Sequence, residues 1–183
     1  MLIVEGQKHM AEVGFARFSA REVAKRVGYS IGTLYNVFGS YDQLIIAINT
    51  RTFMLWTAYM GAILAQPCED RIRCLVEGYF GFARANRNAW NAIYDHHLPP
   101  DLPMPAEQDA IRGELTKLVE KEVANALPPA RRSVAPELAR SLVATVHGHC
   151  VFDINGSFAQ MGQKEPIELA LARVRESLAS DPG

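Results

Sequence analysis

Apolar residues recur every three or four positions along most of the chain, which is the spacing of helices with one buried face. Outside residues 14–40, the pattern predicts helices over residues 2–13, 41–65, 69–86, 88–96, 106–126, 136–161 and 166–178. Prolines interrupt the pattern at residues 97–105 and at Pro128–Pro129, because proline lacks a backbone N–H and restricts the residue before it. We therefore expect an all-α protein with loops at these two places.

Three helix starts follow one another between residues 19 and 44, each opened by a serine: Ser19, Ser30 and Ser40. After Ser19 and Ser40, a Glu or Gln follows three residues later, which is the spacing of a capping box. Gly28 can take the left-handed conformation that ends one helix before the next begins. Two short helices at this spacing predict a helix-turn-helix, whose second helix fits a DNA major groove.

The second of these helices has two different faces. On a helical wheel Ile31, Leu34 and Phe38 fall on one side, Gly32, Thr33 and Asn36 on the other, and Tyr35 at the boundary. The polar side carries no acidic residue. Its asparagine can pair with adenine and its threonine methyl can meet a thymine methyl. The pattern alone leaves open a polar surface helix, since helix corners of this kind also occur in proteins that bind no DNA.

The segment AREVAKRVGYSIGTLYNVFGSYDQL, residues 20–44, closely resembles the DNA-binding region of the TetR family of bacterial transcription regulators. That family's pattern runs IA-x-x-AGVS-x-GTLY-x-x-F-x-S-K-x-x-L. The matching positions here are Val23-Ala24, Val27-Gly28-Tyr29-Ser30, Gly32-Thr33-Leu34-Tyr35, Phe38, Ser40 and Leu44. The resemblance covers about the first fifty residues, and the rest of the chain resembles the family only in length and in helical pattern.

The resemblance implies a three-helix DNA-binding head, residues 1–46, and a helical ligand-binding and dimerisation body, residues 47–183, with about nine helices in all. The residues expected at the DNA are Arg21, Lys25, Ser30, Gly32, Thr33, Tyr35, Asn36, Ser40 and Tyr41. Tyr41 stands where the family usually has a lysine, so a positive charge is missing at a place that commonly holds a DNA phosphate. The chain also begins almost at its first helix, so a basic N-terminal arm is either absent or lies before this start.

Charge supports a DNA-facing head only mildly. The net charge of the chain is -1. Residues 1–51 carry +2 and the remainder carries -3. A hydrophobic content of 49% with 21% charged residues is that of an ordered globular protein. We expect modest DNA affinity for each protomer, made adequate by dimerisation.

Cys68, Cys74 and Cys150 have no metal-binding spacing, and an odd count favours reduced thiols in a cytosolic protein. No stretch is apolar for long enough to cross a bilayer. Met1–Val4 is followed at once by Glu5, which argues against a signal peptide. We therefore expect a cytoplasmic protein without a membrane partner.

The last two predicted helices carry a candidate dimer interface. The helix over residues 136–161 has two apolar stripes, Leu138, Leu142, Val146, His149 and Phe152 on one side and Val143, His147, Cys150, Ile154 and Phe158 on the other. A helix that is apolar on two sides is buried on two sides. The second side is expected to pack against a partner subunit, so that the last two helices of each protomer form a four-helix interface, as the TetR family does.

An inducible regulator needs a ligand pocket in its body. Aromatic and polar residues are densest in two segments, and the candidate lining is Tyr79, Phe82, Trp90, Tyr94, His97, His149, Phe152 and Asp153. The same aromatic residues at helical spacing also suit an ordinary core. Such a lining would suit a small, largely apolar or aromatic molecule.

The expected function is a homodimeric repressor that binds a palindromic DNA operator and is released by a small-molecule effector. One alternative is a helix-turn-helix dimer without a small-molecule response. Another alternative is a metal-responsive regulator, because histidine is a common metal ligand and four histidines occur in two groups, His96-His97 and His147/His149. The side chains of His147 and His149 would point about 160° apart on a helix, which disfavours binding of one ion by both. No metal and no cofactor is expected. An enzyme is not expected, because phosphate-loop, dinucleotide-binding and nucleophile-elbow motifs are absent from the sequence.

Overall fold

The computed structural model describes residues 1–102 and 104–180. Regular structure within these residues is helical. The α-helices are α1 (Leu2–Val13), α2 (Ala20–Arg26), α3 (Ile31–Phe38), α4 (Tyr41–Ala65), α5 (Arg71–Ala85), α6 (Arg87–Asp95), α7 (Ala106–Ala126), α8 (Ala135–Ile154), α9 (Ser157–Gln160) and α10 (Pro166–Ala179). Two 3₁₀ helices cover Phe15–Arg17 and Pro129–Val134. The predicted all-α fold is confirmed.

Most predicted helix bounds agree with the structure, and α8 is the exception. It was expected to continue to about residue 161, but it ends at Ile154. Gly156 then takes a left-handed conformation, with φ 79°, and the short α9 follows. The apolar spacing continues past the break, so periodicity alone did not mark it. Residues 97–102, 104 and 105 contain no helix, as expected, and Pro103 of that predicted loop lies outside the described residues.

The chain forms two compact units that differ from the division predicted by function. Unit 1 consists of Met1–Trp56 and Asn86–Gly113, and unit 2 consists of Thr57–Ala85 and Glu114–Gly183. The helices α4 and α7 each contribute residues to both units. The predicted boundary between DNA-binding and ligand-binding functions, after residue 46, stays a prediction.

Unit 1 is built on an apolar core shared by the first four helices and α6. The buried members are Leu2, Met10, Ala20, Val23, Ala24, Leu34, Leu44, Ile45, Ile48 and Ala92. Two polar contacts tie α6 into this unit. Asn49 Nδ2 donates to the Ala92 carbonyl at 3.0 Å. The His96 Nε2 atom, just after α6, lies 2.9 Å from Asp42 Oδ1 in the first turn of α4.

In unit 2, α10 packs against α8 and α5. The buried positions of α8 are Ala135, Ala139, Leu142, Val146 and Cys150. Leu142 and Val146 come from the first predicted stripe and Cys150 from the second, whereas Phe152 of the first stripe is 43% exposed in the single protomer. Within one protomer the buried stripe therefore differs from the predicted ones, and the burial of a second apolar side against a partner subunit stays a prediction.

Arginine–carboxylate pairs hold the helices of unit 2 together. Arg71 of α5 donates to both carboxylate oxygens of Glu122 on α7, at 3.0 and 2.8 Å. Arg73 of α5 pairs in the same way with Glu168 of α10, at 2.5 and 3.0 Å. The Arg71 guanidinium holds the pKa of the Glu122 carboxyl below its ordinary value, despite the opposing effect of burial. Such bidentate pairs fix both distance and orientation between helices.

The prediction of three reduced cysteines was wrong for two of them. Cys68 and Cys74 form a disulfide between the loop after α4 and the first turn of α5. Cys150 is a buried free thiol, and burial raises its pKa to about 12. The spacing of six residues gives no sequence signal, because the two side chains meet only through the path of the loop after α4 into the first turn of α5.

Candidate nucleic-acid interface

Serine side chains cap the starts of α2, α3 and α4, as the sequence predicts. The backbone N–H groups of Glu22, Thr33 and Gln43 donate to the hydroxyl oxygens of Ser19, Ser30 and Ser40, at 3.2, 3.0 and 3.1 Å. The reciprocal half of the capping box at Ser19 is made differently. The Ser19 N–H donates to His9 Nε2 of α1 at 3.4 Å, while Glu22 accepts from Arg26.

A tight turn separates α2 from α3. Gly28 has φ 77°, in the left-handed region expected from the sequence. The N–H groups of Gly28 and Tyr29 donate to the carbonyls of Lys25 and Ala24 at 3.1 and 2.8 Å. These bonds satisfy the end of α2 and fix the direction in which α3 begins.

Helix α3 hides one face and exposes the other. Leu34 is completely buried, and Ile31 and Phe38 pack against the core of unit 1. The residues on the opposite side are exposed: Gly32, Thr33, Tyr35, Asn36 and Val37. The division follows the predicted helical wheel and leaves the polar side available for base edges.

One hydrogen bond orders the beginning of this exposed face. The hydroxyl oxygens of Ser30 and Thr33 lie 2.9 Å apart. Ser30 Oγ accepts a hydrogen bond in the cap of α3, so its O–H can still donate to a phosphate when Thr33 is the donor of the Ser30–Thr33 bond. Asn36 is exposed and its amide makes no hydrogen bond to another described side chain, which leaves it accessible to a base.

The predicted phosphate-contacting residues have different surroundings. Arg21 and Lys25 are exposed on α2. Tyr41 is half-buried, with its ring centroid 6.2 Å from that of Phe18, and burial raises its pKa. Ser40 caps α4. Tyr41 therefore contributes to the core of unit 1, and its hydroxyl is the only part of it suited to a phosphate.

Val37 is an exposed residue of α3 that the sequence reasoning missed. It is 62% exposed, the most exposed large apolar side chain of this helix. It lies one turn after Thr33, so the helical wheel already placed it beside the polar face. An exposed valine there can pack against thymine methyl groups.

The eight residues predicted to line a ligand pocket divide between the two units. Trp90, Tyr94 and His97 belong to unit 1. Trp90 is buried and meets Tyr94 edge to face at 5.3 Å between ring centroids. His97 is exposed and its Nδ1–H donates to the Asp95 carbonyl at 3.0 Å. Trp90 has the surroundings of a core residue, whereas Tyr94 and His97 reach the surface.

The remaining five, Tyr79, Phe82, His149, Phe152 and Asp153, belong to unit 2. Tyr79 Oη lies 3.0 Å from His147 Nδ1, and burial lowers the pKa of His147. Asp153 is paired with Arg84 at 2.8 Å. Phe82 is buried beside Tyr59, at 5.7 Å between ring centroids.

His149 and Phe152 lie near the end of α8, where both rings contact Phe158 of α9. The His149 Nδ1–H donates to the Thr145 carbonyl at 2.8 Å. A shallow groove of about 350 Å³ lies beside them, lined by Asp153, Phe158, Ala159, Gly162, Gln163, Lys164 and Pro166. Of the predicted lining residues, only Asp153 reaches this groove.

The described residues bring no three His, Cys, Asp or Glu side chains close enough together to hold a metal ion. His147 and His149 make separate contacts, with Tyr79 and with the Thr145 carbonyl. The helices of the described ranges are all too short or too polar to cross a membrane.

Comparison with known proteins gives two family matches. A family model described as bacterial regulatory proteins, tetR family, matches residues 2–48, and one described as tetracyclin repressor-like, C-terminal domain, matches residues 72–176. No curated protein matches the chain.

Solved structures of three proteins share the fold. A protein with unknown function from Rhodococcus sp. RHA1 has a TM-score of 0.76 at 20% identity, over 98% of this chain and 94% of that one. The multidrug binding protein EbrR, complexed with imidazole, has a TM-score of 0.65 at 18% identity, over 99% and 94%. A TetR-like transcriptional regulator from Rhodococcus sp. RHA1 has a TM-score of 0.58 at 19% identity, over 98% and 94%.

Proposed function

The chain belongs to the TetR family of bacterial transcription regulators, and we propose that it represses transcription as a homodimer until a small molecule releases it from a palindromic operator. Its family makes it a DNA-binding regulator, and regulators of this family are generally not enzymes. The repression, the dimer and the response to a ligand are the proposed parts.

The observation that carries the proposal is the exposed face of α3. A helix held by a buried Leu34 presents Thr33 and Asn36 outward, beside a glycine at position 32 that allows close approach. Asparagine amides pair bidentately with adenine, and each such pair contributes about 1–3 kcal/mol of discrimination. Reading by one α3 covers only half of a palindrome, which a two-fold dimer completes.

The outer face of α8 supports the proposed dimer. Ser141, Ala144 and Gly148 are exposed at successive turns of this helix, followed by the half-exposed ring of Phe152. A side chain added at Gly148 would meet no atom of this chain within 4 Å. Small residues along one face let a second helix approach closely. We infer that α8 and α10 of two protomers form the interface.

The proposed effector is a small, largely apolar or aromatic molecule. EbrR, which shares the fold, is a multidrug binding protein whose structure contains imidazole. Aromatic side chains supply apolar contact surface for such a molecule, and their polar ends supply hydrogen bonds.

The test begins by selecting operator sequences from a random DNA library with the purified protein. Asn36→Ala is expected to weaken binding by about 1–3 kcal/mol at one base position of each half-site and to relax the preference there. Asn125→Ala, an exposed asparagine on α7, is the matched control and should leave binding unchanged.

A uniform loss across all sequences would assign Asn36 to the phosphate backbone. Absence of any selected sequence would overturn the operator part of the proposal. If the operator binds but no compound in an effector screen changes that binding, the alternative of a dimer without small-molecule response replaces the favoured function.

A further inference from the structure

Arg112 on α7 is a half-buried cation without a carboxylate partner among the described residues. Its guanidinium carbon lies 4.6 Å from the centroid of the Phe53 ring. Its Nη1 donates to the thioether sulfur of Met104 at 3.5 Å, and a thioether is a weak acceptor. Arg71 and Arg73, by contrast, each engage a glutamate with two hydrogen bonds.

The surroundings of Arg112 do not neutralise it. Burial lowers the pKa of its guanidinium, and the nearby Asp109 and Tyr94 oppose that effect without overcoming it. Asp109 forms no ion pair with it within the described ranges. A partly desolvated guanidinium that lacks an anion has much to gain from one, because desolvation is already paid in the folded protein.

Contacts between α4 and α7 hold Arg112 in place. Thr50 Oγ1 lies 3.3 Å from Gln108 Oε1, and its hydroxyl hydrogen is shared between that oxygen and the Ile46 carbonyl at 2.8 Å. One turn further along both helices, Phe53 meets Arg112. These residues all belong to unit 1. The two successive contacts fix the register of the helices, so the guanidinium is positioned before any ligand arrives.

We propose that Arg112 anchors the carboxylate of a small aromatic or aliphatic acid, and that such an organic acid is the effector. The Phe53 ring covers one face of the guanidinium, so the carboxylate approaches its edge, where the N–H groups form a fork that matches two carboxylate oxygens. The ligand's apolar part then lies along Phe53 and Met104. The effector role rests on the proposed function, whereas acid binding does not.

The experiment compares acids with their uncharged amides on the full-length protein. Benzoate, 2-naphthoate and octanoate are each paired with the corresponding amide, and 2-naphthylmethylamine supplies a cation of similar shape. Dissociation constants come from calorimetry, supported by the fluorescence of Trp56 and Trp90, which are both buried in unit 1. At least one acid should bind about 10- to 100-fold more tightly than its amide, as expected for hydrogen bonds to a charged group.

Arg112→Met removes the charge and keeps an unbranched side chain. It should abolish the preference for the acid while amide binding stays within about twofold, since only the charged contacts are lost. Lys117→Met is the control on the same helix, where an exposed lysine already pairs with Glu114 at 2.8 Å. That variant should retain the full preference for the acid.

Equal binding of every acid and amide, tighter binding of the amine, or an undiminished acid preference in Arg112→Met would each overturn the anchor. If Arg112→Met fails to fold, the comparison of acids with amides on the unaltered protein still decides. Operator release is measured separately. A protein that prefers acids but binds no operator contradicts the proposed function alone, whereas operator binding that acids never affect contradicts the effector role alone.

Discussion

Adding one methyl group at Gly32 separates folding from DNA recognition more cleanly than removing a side chain does. Gly32 is exposed on α3, and a Cβ built there would lie 3.6 Å from Ser30 Oγ, an ordinary van der Waals distance. Gly32→Ala therefore fits the folded protein without strain. If α3 enters a major groove with this face, the same methyl group stands where the DNA must approach.

Gly32→Ala is expected to raise the stability of the folded protein and to lower its affinity for the operator. Alanine in place of glycine stabilises an exposed helix interior by about 0.5–1 kcal/mol, and the position near the start of α3 places the effect at the lower end. That gain corresponds to a rise in Tm of about 1–2 °C for a chain of this size. At the DNA, a helix pushed outward loses base contacts worth about 1–3 kcal/mol in each half-site.

Thermal unfolding measures the change in Tm, and operator titration by fluorescence anisotropy measures the change in DNA affinity. Both are done at the same salt concentration. Gly61→Ala on α4 is the control, since a Cβ at that position meets no described atom within 4 Å and is equally free of strain. The control should raise Tm similarly and leave operator affinity unchanged. A Gly32→Ala protein that binds the operator as tightly as the unaltered chain would refute the placement of this face at the DNA.

Two further predictions concern stability. Cys68→Ser should lower the free energy of unfolding by about 2 kcal/mol, because the disulfide with Cys74 closes a loop of about seven residues. Denaturant titration of the variant and of the oxidised, unaltered protein measures this loss. Reduction of the unaltered protein should cause a loss of the same size. Glu122→Gln should destabilise the protein at pH 7 by about 1–3 kcal/mol by weakening the pair with Arg71. Because folding lowers the pKa of Glu122 from 4.5, its contribution is present at neutral pH and is lost as the pH falls through the folded value. The variant should therefore show a shallower loss of stability in acid, and an unchanged acid profile would contradict this reasoning.

The helix-turn-helix was predictable because its signals are local. The three serine caps, the left-handed Gly28 and the two faces of α3 depend on residues a few positions apart. The failure within this region has the opposite cause. Glu22 does not complete its capping box, because His9 of α1 occupies the Ser19 N–H from ten residues away.

The ligand-binding residues were less predictable because apolar spacing does not distinguish a pocket from a core. Trp90 had the expected aromatic character and is buried at 1% exposure. Asp153 had the expected polarity, but Arg84 already pairs with it. Arg112 gave no signal at all, since its lack of a carboxylate partner depends on how α7 lies against α4. The disulfide was missed for a similar reason, because it depends on a turn.

Electrostatics within the DNA-binding region favour the proposed use of a dimer and of close base contacts. Arg26 of α2 is surrounded by Glu5, Glu12 and Glu22, at 3.5, 2.8 and 3.4 Å, so little of its charge is available to a phosphate. With a half-buried Tyr41 in place of the family's lysine, the exposed cations of α2 that remain to attract the backbone are Arg21 and Lys25. In the proposed dimer, specific affinity would therefore depend on base contacts by α3 in each half-site. A regulator that must bind both half-sites at once is sensitive to the spacing between its two recognition helices. When one helix is bound, it holds the other at a high effective concentration near its half-site, and a wrong spacing removes that advantage. In the proposed mechanism, a small ligand-induced change in that spacing releases the operator.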